Sequence, residues 1–302
     1  MTNRFKGICC IIASAFGFAL MAFFVRLADD FGGEISCFQK SFFRNAIAFH
    51  VAVAVFICAS RRRVAVSLLP AAPQEWWLLL MRSICGLVGI FANFYALSKM
   101  PIGEAMTLNK TAPFFTVLFS WLCLDERANR RQLLSLAIAF AGVLLVMRPG
   151  FRGAETFATV CALTGGLGAG LAYTCVHQLG RLRVDGSLIV LFFSAFSCVA
   201  SVPFFAFDYR PMTSLQTLIL LAAGVSAALG QFGVTAAYRF AEPREIAVFD
   251  YTNIVFTGLL GFMFFAQKPD MLSVAGFVVI LLAAMRMRCA KSNVQKSKGD
   301  MS

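Results

Sequence analysis

The sequence predicts an all-α integral membrane protein with ten transmembrane helices, arranged as two inverted-topology five-helix repeats. Composition, a regular succession of apolar segments and an internal repeat support this fold class. Of the 302 residues, 59% are hydrophobic and 14% are charged, whereas soluble domains contain about 45–50% apolar and about 25% charged residues. Because so few polar residues cannot cover a water-exposed surface of this size, we exclude a soluble enzyme, a disordered chain and a disulfide scaffold.

Ten apolar segments follow one another with short polar connections between them. A membrane helix needs about 20 apolar residues, so ten such helices occupy nearly the whole chain. Little length remains for a soluble catalytic or signalling domain. The predicted spans are Phe5–Leu27, Ser36–Ala59, Trp76–Leu97, Pro101–Leu124, Gln132–Arg148, Glu155–Leu179, Gly186–Phe207, Ser214–Phe240, Pro243–Phe265 and Met271–Met287.

The positions of the basic residues predict how these spans are oriented, because Lys and Arg are enriched in cytoplasmic loops. With the N-terminus inside, the inside segments contain Arg4, Lys6, Arg61, Arg62, Arg63, Arg127, Arg130, Arg131, Arg181, Arg183, Arg239, Arg244, Arg286, Arg288, Lys291, Lys296 and Lys298. The outside segments contain Lys99, Arg148, Arg152, Arg210 and Lys268, with Arg26 at a helix end. We therefore expect a multi-pass protein of the cytoplasmic (inner or plasma) membrane with both termini in the cytoplasm.

Matching residues at a nearly constant offset indicate an internal repeat. The tripeptide Gly-Ile-Phe at 89–91 recurs as Gly-Gln-Phe at 230–232, which is an offset of 141 residues. At the same offset Thr111 falls on Thr252. A series of matches at one offset is typical of proteins that consist of two copies of one unit, and many transporters are built in this way.

The repeat predicts three parts: a first five-helix repeat over residues 1–150, a second, inverted repeat over residues 151–290, and a basic cytoplasmic tail over residues 291–302. A second copy of a unit with an odd number of spans must enter the membrane in the opposite orientation. Inverted repeats enclose a cavity at their interface and favour alternating access, so this architecture indicates transport.

Two charged residues are predicted near the membrane midplane. Lys110 lies about 13 Å along its helix from Pro101, and Asp250 lies about 10 Å along its helix from Pro243. Charges at this depth need partners or water. We expect Lys110 and Asp250 to face one cavity, where they pair or bind opposite ends of a zwitterionic cargo. A permanent structural ion pair and a lipid-facing Lys110 are the alternatives.

The offset of 141 residues pairs Asn109 with Asp250 and Lys110 with Tyr251, so all four are candidates for the binding site. Arg44, about 12 Å into the second helix, is suited equally to an anionic cargo or to a structural pair. Other polar candidates that could orient a ligand, or hydrogen-bond within the bundle instead, are Asn93, Tyr173, Gln231, Tyr251 and Asn253. Asp250 and His177 are candidates for proton coupling.

Several further polar residues favour structural roles. Arg82 and Lys40 are expected to extend to the headgroups, and Glu104 and Glu245 to stabilise helix starts through the helix dipole. The ten cysteines form no C-x-x-C pair, and no Walker-type loop is present. We therefore expect no metal, no cofactor and no direct use of ATP.

A run of short motifs extends across the chain. The first half contains Arg82-Ser83, Gly86, Phe94-Tyr95-Ala96-Leu97, Met100-Pro101, Ala105, Thr111-Ala112-Pro113-Phe114-Phe115 and Leu124-Asp125-Glu126, and the second half contains Ala236-Ala237-Tyr238, Glu245-Ile246-Ala247 and Phe249-Asp250-Tyr251-Thr252. This pattern resembles the EamA repeat of the drug/metabolite transporter superfamily. Gln267 departs from it, because the family often has Glu there, as at Glu126.

The resemblance implies ten helices around a central cavity lined by the third, fourth, eighth and ninth, with contributions from the first and sixth. It also implies transport of amino acids, nucleotide derivatives, organic cations or other small metabolites. Together with the midplane charges, it predicts a secondary active transporter for a small zwitterionic or anionic metabolite, such as an amino acid or an adenosyl-type metabolite. The alternatives are a transporter of an organic cation or drug and, in a different class, a membrane-embedded sensor or enzyme. Expected partners are the metabolite, lipid, and a proton or counter-substrate. Nucleic acid is not expected, and a homodimer is compatible with the sequence.

Overall fold

The computed structural model describes residues 2–33, 35–62, 70, 72–100, 102–149, 156–265 and 269–289. Their regular structure is helical throughout. The helices are α1 (Asn3–Asp30), α2 (Cys37–Arg62), α3 (Pro73–Lys99), α4 (Ile102–Asn109), α5 (Ala112–Leu124), α6 (Arg130–Met147), α7 (Thr156–Arg181), α8 (Gly186–Phe207), α9 (Ser214–Phe240), α10 (Pro243–Ile246), α11 (Thr252–Phe265) and α12 (Met271–Cys289), with a 3-10 turn at Ala247–Tyr251.

Some residues named in the sequence analysis lie outside this description. They are Arg63, Pro101, Arg152, Glu155, Gln267, Lys268 and the tail at 291–302, together with the side chains of Ala59, Arg61, Arg62, Phe94, Leu97, Glu104 and Arg288.

The described helices include eight segments that are long and apolar enough to cross a membrane, and α12 adds a shorter apolar helix. The prediction of an all-α, multi-pass membrane fold is thereby confirmed. The fourth predicted span consists of two short helices, α4 and α5. The count of ten spans and the repeat boundaries stay predictions.

Local sequence explains where several helices begin. Asn129 and Gln132 form a capping box at the start of α6, in which each side chain binds the backbone amide of the other. Thr213 and Gln216 do the same at the start of α9. These side chains satisfy amide groups that would have no partner at a helix start.

Two of the predicted spans are interrupted in the membrane. The span over 101–124 breaks at Lys110 and Thr111, because Pro113 has no amide hydrogen with which to continue the helix from α4. The span over 243–265 contains the 3-10 turn instead. In both, a threonine hydroxyl closes the turn: Thr111 donates to the carbonyl of Leu108 at 2.6 Å. The corresponding bond from Thr252 to the carbonyl of Phe249 measures 2.7 Å.

The main helix packings join the first half of the chain to the second. Helix α1 packs on α9, α3 on α7, α2 on α8 and α6 on α12. Two of these contacts are close backbone crossings: a methyl group at Gly17 would lie 2.7 Å from the amide nitrogen of Gly230, and one at Gly89 would lie 3.2 Å from the carbonyl oxygen of Gly165. Small residues permit such crossings, so the two halves interlock.

We call the side of the membrane at which α1 begins the N-terminal face, and the other side the opposite face. At the opposite face, Lys40 of α2 pairs with Asp29 of α1 at 2.7 Å. The side chain of Gln39 forms two hydrogen bonds of 2.9 Å with the backbone of Arg210, in the connection between α8 and α9. Lys40, which was expected to extend to the headgroups, therefore has a protein partner, and its side chain is only 12% exposed.

Candidate functional site

A cavity of about 190 Å³ lies between the two halves of the chain, at the level of both helix breaks. Its lining combines charged and polar side chains with apolar ones. The cavity is enclosed by the two helix breaks and by α1, α2, α3, α7, α8 and α9. The residues that line it include Phe18, Arg44, Arg82, Asn93, Asn109, Lys110, Tyr173, Phe193, Gln231, Asp250 and Asn253.

The two helix breaks bring opposite charges together in this cavity. The ammonium nitrogen of Lys110 lies 3.6 Å from a carboxylate oxygen of Asp250, and the side chains are only 13% and 15% exposed. A continuous helix at either position would use its backbone polar groups internally, whereas broken helices leave them available beside a cavity. The predicted encounter of Lys110 with Asp250 is therefore present in the structure.

Glycines on α7 allow the first break to approach closely. A methyl group at Gly166 would lie 2.6 Å from the hydroxyl oxygen of Thr111 and 3.1 Å from the carbonyl oxygen of Asn109. At the second break, Asn253 donates to the carbonyl oxygen of Ala15 on α1 at 2.9 Å. Each break is thus held against a helix from the other half of the chain.

Two arginines contribute the remaining positive charge of the cavity. Arg82 is 3% exposed; its guanidinium lies 4.0 Å from the ring centre of Phe193 and donates to the amide oxygen of Gln231 at 3.2 Å. Arg44 lies 5.9 Å from the ring centre of Phe18. The prediction that Arg82 extends to the headgroups is wrong, because the face of α3 that carries it points into the bundle.

The other predicted site residues divide into two groups. Asn93, Asn109, Tyr173, Gln231 and Asn253 line the cavity. Tyr251 does not line it: the side chain is fully buried, and its hydroxyl has no hydrogen-bond partner among the described residues. Tyr251 follows Asp250 on the 3-10 turn and points to the other side of it, toward Phe140 of α6.

The sequence analysis did not identify Phe18, Phe193 and Arg82 as cavity residues. Apolar rings in a sequence this rich in phenylalanine give no signal of their own. The one available signal for Arg82 was its place at the start of a run of small residues, Ser83, Gly86 and Gly89, on α3. Such a run marks a helix face that packs against protein rather than lipid.

His177 on α7 lies between the cavity and the N-terminal face. Its ring contacts α9 and the connection after α5. One ring nitrogen contacts the backbone carbonyl of Tyr238 on α9 at 2.7 Å, and the other contacts the carboxylate of Glu126 at 2.9 Å. Arg181 lies 3.5 Å from the same carboxylate. Both partners of the ring are hydrogen-bond acceptors, a backbone carbonyl and a carboxylate.

Residues 5–148 match the model of the EamA-like transporter family. Among curated proteins, the chain is 29% identical to the pseudopaline exporter of Pseudomonas aeruginosa, over 95% of this chain and 97% of that protein. It is 24% identical to human solute carrier family 35 member G1, over 91% and 76%. It is 25% identical to the riboflavin transporter of Brucella anthropi, over 74% and 80%.

The fold is also that of a solved crystal structure. The two superpose with a TM-score of 0.76 at 19% sequence identity, over 91% of this chain and 96% of the other. The family match, the relatives and the apolar helices agree in pointing to membrane transport of small molecules rather than catalysis. The family match over residues 5–148 and the names of these relatives confirm the predicted resemblance to EamA-type transporters of the drug/metabolite transporter superfamily.

Proposed function

We propose that this protein is a secondary active transporter that moves a small zwitterionic or anionic metabolite across the cytoplasmic membrane by alternating access. One observation carries the proposal: Lys110 and Asp250 meet at two helix breaks, inside a cavity between the two halves of the chain. A cavity that presents both an ammonium and a carboxylate suits a cargo with an acidic and an amino group, such as an amino acid or an adenosyl-type metabolite.

The repeated geometry supports alternating access. Thr111 and Thr252 close equivalent turns in the two breaks, and the crossings at Gly17–Gly230 and Gly89–Gly165 are made by pairs of helices that the predicted repeat relates. Two halves with interchangeable geometry can exchange conformations around a fixed site. The names of two relatives refer to transport of pseudopaline and of riboflavin, which agrees with small-molecule cargo.

His177 and Asp250 are our candidates for coupling. The groups that face His177 are Glu126 from the connection after α5, the carbonyl of Tyr238 on α9, and Arg181 one turn further along α7. The contacts of this cluster hold α7 to its neighbours at the N-terminal face. Proton exchange there would therefore bias the opening of that side, which the positive-inside rule makes the cytoplasmic side.

An organic cation is the second candidate cargo. Asp250 and the rings of Phe18, Phe193 and Tyr173 could bind a cationic ligand. The three positive charges in the same cavity oppose this, so we favour the anionic or zwitterionic cargo.

Counterflow in proteoliposomes tests the proposal, with radiolabelled amino acids and adenosyl compounds as cargo. We expect uptake to fall at least about tenfold in Lys110→Ala and in Asp250→Asn, since a charge-assisted contact is worth about 1.5–3 kcal/mol. Lys40→Ala is the matched control, because it removes an ion pair at the opposite face and outside the cavity. Full uptake by both cavity variants would contradict the proposed site.

The double variant Lys110→Asp/Asp250→Lys distinguishes a structural ion pair from a binding site. A pair that only holds the halves together should tolerate the exchange of charges and recover uptake. A site that orients the cargo should not recover, because both ends of the cargo then meet the wrong charge.

A further inference from the structure

The cavity holds more positive charge than the Lys110–Asp250 pair can account for. Of the charged residues in its lining, Arg44, Arg82 and Lys110 are cations and only Asp250 is an anion. Asp250 lies next to Lys110. Within the described part of the chain, neither guanidinium forms a salt bridge, and the Nε atoms of both arginines are buried without a hydrogen-bond partner.

Arginine charge in this position requires an explanation. An uncompensated cation deep in a membrane protein is unfavourable, and such residues usually pair or line an ion or substrate pathway. Each guanidinium lies over a phenylalanine ring, and Arg82 also donates to Gln231. These contacts fix the planes of the groups but supply no negative charge.

We propose that Arg44 and Arg82 form an anion subsite that binds a carboxylate of the cargo, separate from the acidic and amino groups at Lys110 and Asp250. This inference rests on the proposed function and narrows the class of cargo that the protein transports. The cargo is then an amino acid derivative with at least one further carboxylate, so that its net negative charge offsets the excess positive charge of the cavity.

The chemistry of the two arginine side chains supports a carboxylate as the ligand of this subsite. A guanidinium presents planar pairs of N–H donors that match the two oxygens of a carboxylate. Because Phe193 and Gln231 already hold Arg82 in place, little side-chain freedom is lost on binding. The apolar surface of Phe18 and Phe193 lies beside the subsite and suits the carbon chain of such a cargo.

Thermal shifts of the purified full-length protein test the subsite with matched probes. The acids are L-aspartate, L-glutamate and L-2-aminoadipate, and their partners are L-asparagine and L-glutamine, in which an amide replaces the second carboxylate. O-phospho-L-serine tests whether phosphate serves as well. We expect acids to bind the wild type at least about tenfold more tightly than amides, as charge-assisted hydrogen bonds imply.

The variants Arg44→Gln and Arg82→Gln should lose this preference and bind acid and amide alike. Arg44→Lys and Arg82→Lys keep the positive charge but not the paired N–H donors, so these variants should lose part of the preference for acids over amides. Arg26→Gln, at the exposed end of α1, is the matched control and should retain the full preference. A loss of binding that is equal for acids and amides would overturn the subsite, because it would indicate a general structural effect.

The stability of the ligand-free protein gives a second readout. Removing an unpaired buried charge should leave the Tm of Arg44→Gln unchanged or higher, whereas loss of a structural ion pair lowers it. A lower ligand-free Tm together with an unchanged acid-to-amide ratio would overturn the subsite. So would a wild type that no acid stabilises more than its amide. Counterflow of a monocarboxylic amino acid by that same wild type would still support the proposed function.

Discussion

Tyr251 illustrates how burial and hydrogen bonding decide the role of a single residue. Its position beside Asp250 suggested a ligand contact, but its hydroxyl is buried away from the cavity and has no partner among the described residues. The hydroxyl of Ser14 is equally buried, but it donates to the carbonyl oxygen of Gly230 at 2.7 Å. An unsatisfied buried hydroxyl costs about 1–3 kcal/mol.

We therefore expect Tyr251→Phe to retain transport and to keep or raise stability, by up to about 1 kcal/mol. Ser14→Ala is the comparison and should lower stability by a similar amount, because it removes the hydrogen bond from the Ser14 hydroxyl to the carbonyl of Gly230. Thermal unfolding with counterflow measurements checks both. Loss of transport in Tyr251→Phe with normal stability would place Tyr251 in the binding site after all.

The contacts of the Glu126 carboxylate imply that the stability of the protein depends on pH. Burial alone raises the pKa of a carboxyl group, but hydrogen bonds from His177 and Ser120 and the charges of His177 and Arg181 outweigh it, so the pKa of Glu126 is lowered. A pKa that is lower in the folded protein contributes stability above the unfolded value, about 4.3 for Glu. That contribution disappears as the pH falls through the folded pKa.

At pH 7 we expect Glu126→Gln to be less stable than the wild type by about 1–3 kcal/mol. The difference should shrink as the pH falls below about 4. Tm measured from neutral to acidic pH tests this. Asp125→Asn is the control, since Asp125 is 85% exposed and should show no comparable difference. A constant difference between wild type and Glu126→Gln at all pH values would contradict the expectation.

At the scale of elements, the break between α4 and α5 depends on space provided by α7. A methyl group at Gly166 would meet Thr111 and the backbone of Asn109. Gly166→Ala should therefore lower stability by about 1–3 kcal/mol and reduce counterflow more than the neighbouring change Leu167→Ala. Leu167 is 38% exposed and faces away from the bundle. Equal effects of the two substitutions would show that the break does not rely on this contact.

The sequence was sufficient to predict whole helices but not their interruptions. The spans Gly186–Phe207 and Ser214–Phe240 coincide with α8 and α9, because apolar length and flanking polar residues set both ends. The breaks at Lys110 and in the 3-10 turn lie within continuous apolar sequence. They depend on the missing amide hydrogen of Pro113 and on hydrogen bonds from the hydroxyls of Thr111 and Thr252, which hydropathy does not register.

Depth along a helix was also predictable, whereas direction around it was not. Lys110 and Asp250 lie 3.6 Å apart, at the similar depths that the predicted repeat gives them. Arg82 was expected at the headgroups from depth alone, but the face of α3 that packs on α7 determines where it points. Only the tertiary arrangement settles which face that is.

For the whole molecule, the two faces of the membrane are packed unequally. At the N-terminal face, α7 and α9 are in contact: the rings of Tyr173 and Tyr238 stack with 5.1 Å between centres, and His177 binds the carbonyl of Tyr238. The predicted repeat relates these helices to α1 and α3, and the described parts of α1 and α3 show no comparable packing on each other. We expect that this conformation is closed toward the cytoplasm.

Labelling with a membrane-impermeant thiol reagent tests that expectation in a cysteine-free background. Asn93→Cys, at the end of the cavity nearest the opposite face, should react from outside the cell. Thr174→Cys, toward the N-terminal face, should not. Tags at both termini should become accessible only after the membrane is permeabilised. The reverse pattern of reactivity would mean that the cavity opens to the cytoplasm.

Helices α6 and α12 pack on each other away from the cavity. A methyl group at Gly142 would lie 2.8 Å from the carbonyl oxygen of Gly276, and Arg148 pairs with Asp270 where α6 ends and α12 begins. None of the described residues that line the cavity belongs to either helix. In the alternating access that we propose, we expect these two helices to stay fixed while the other helices move beside them.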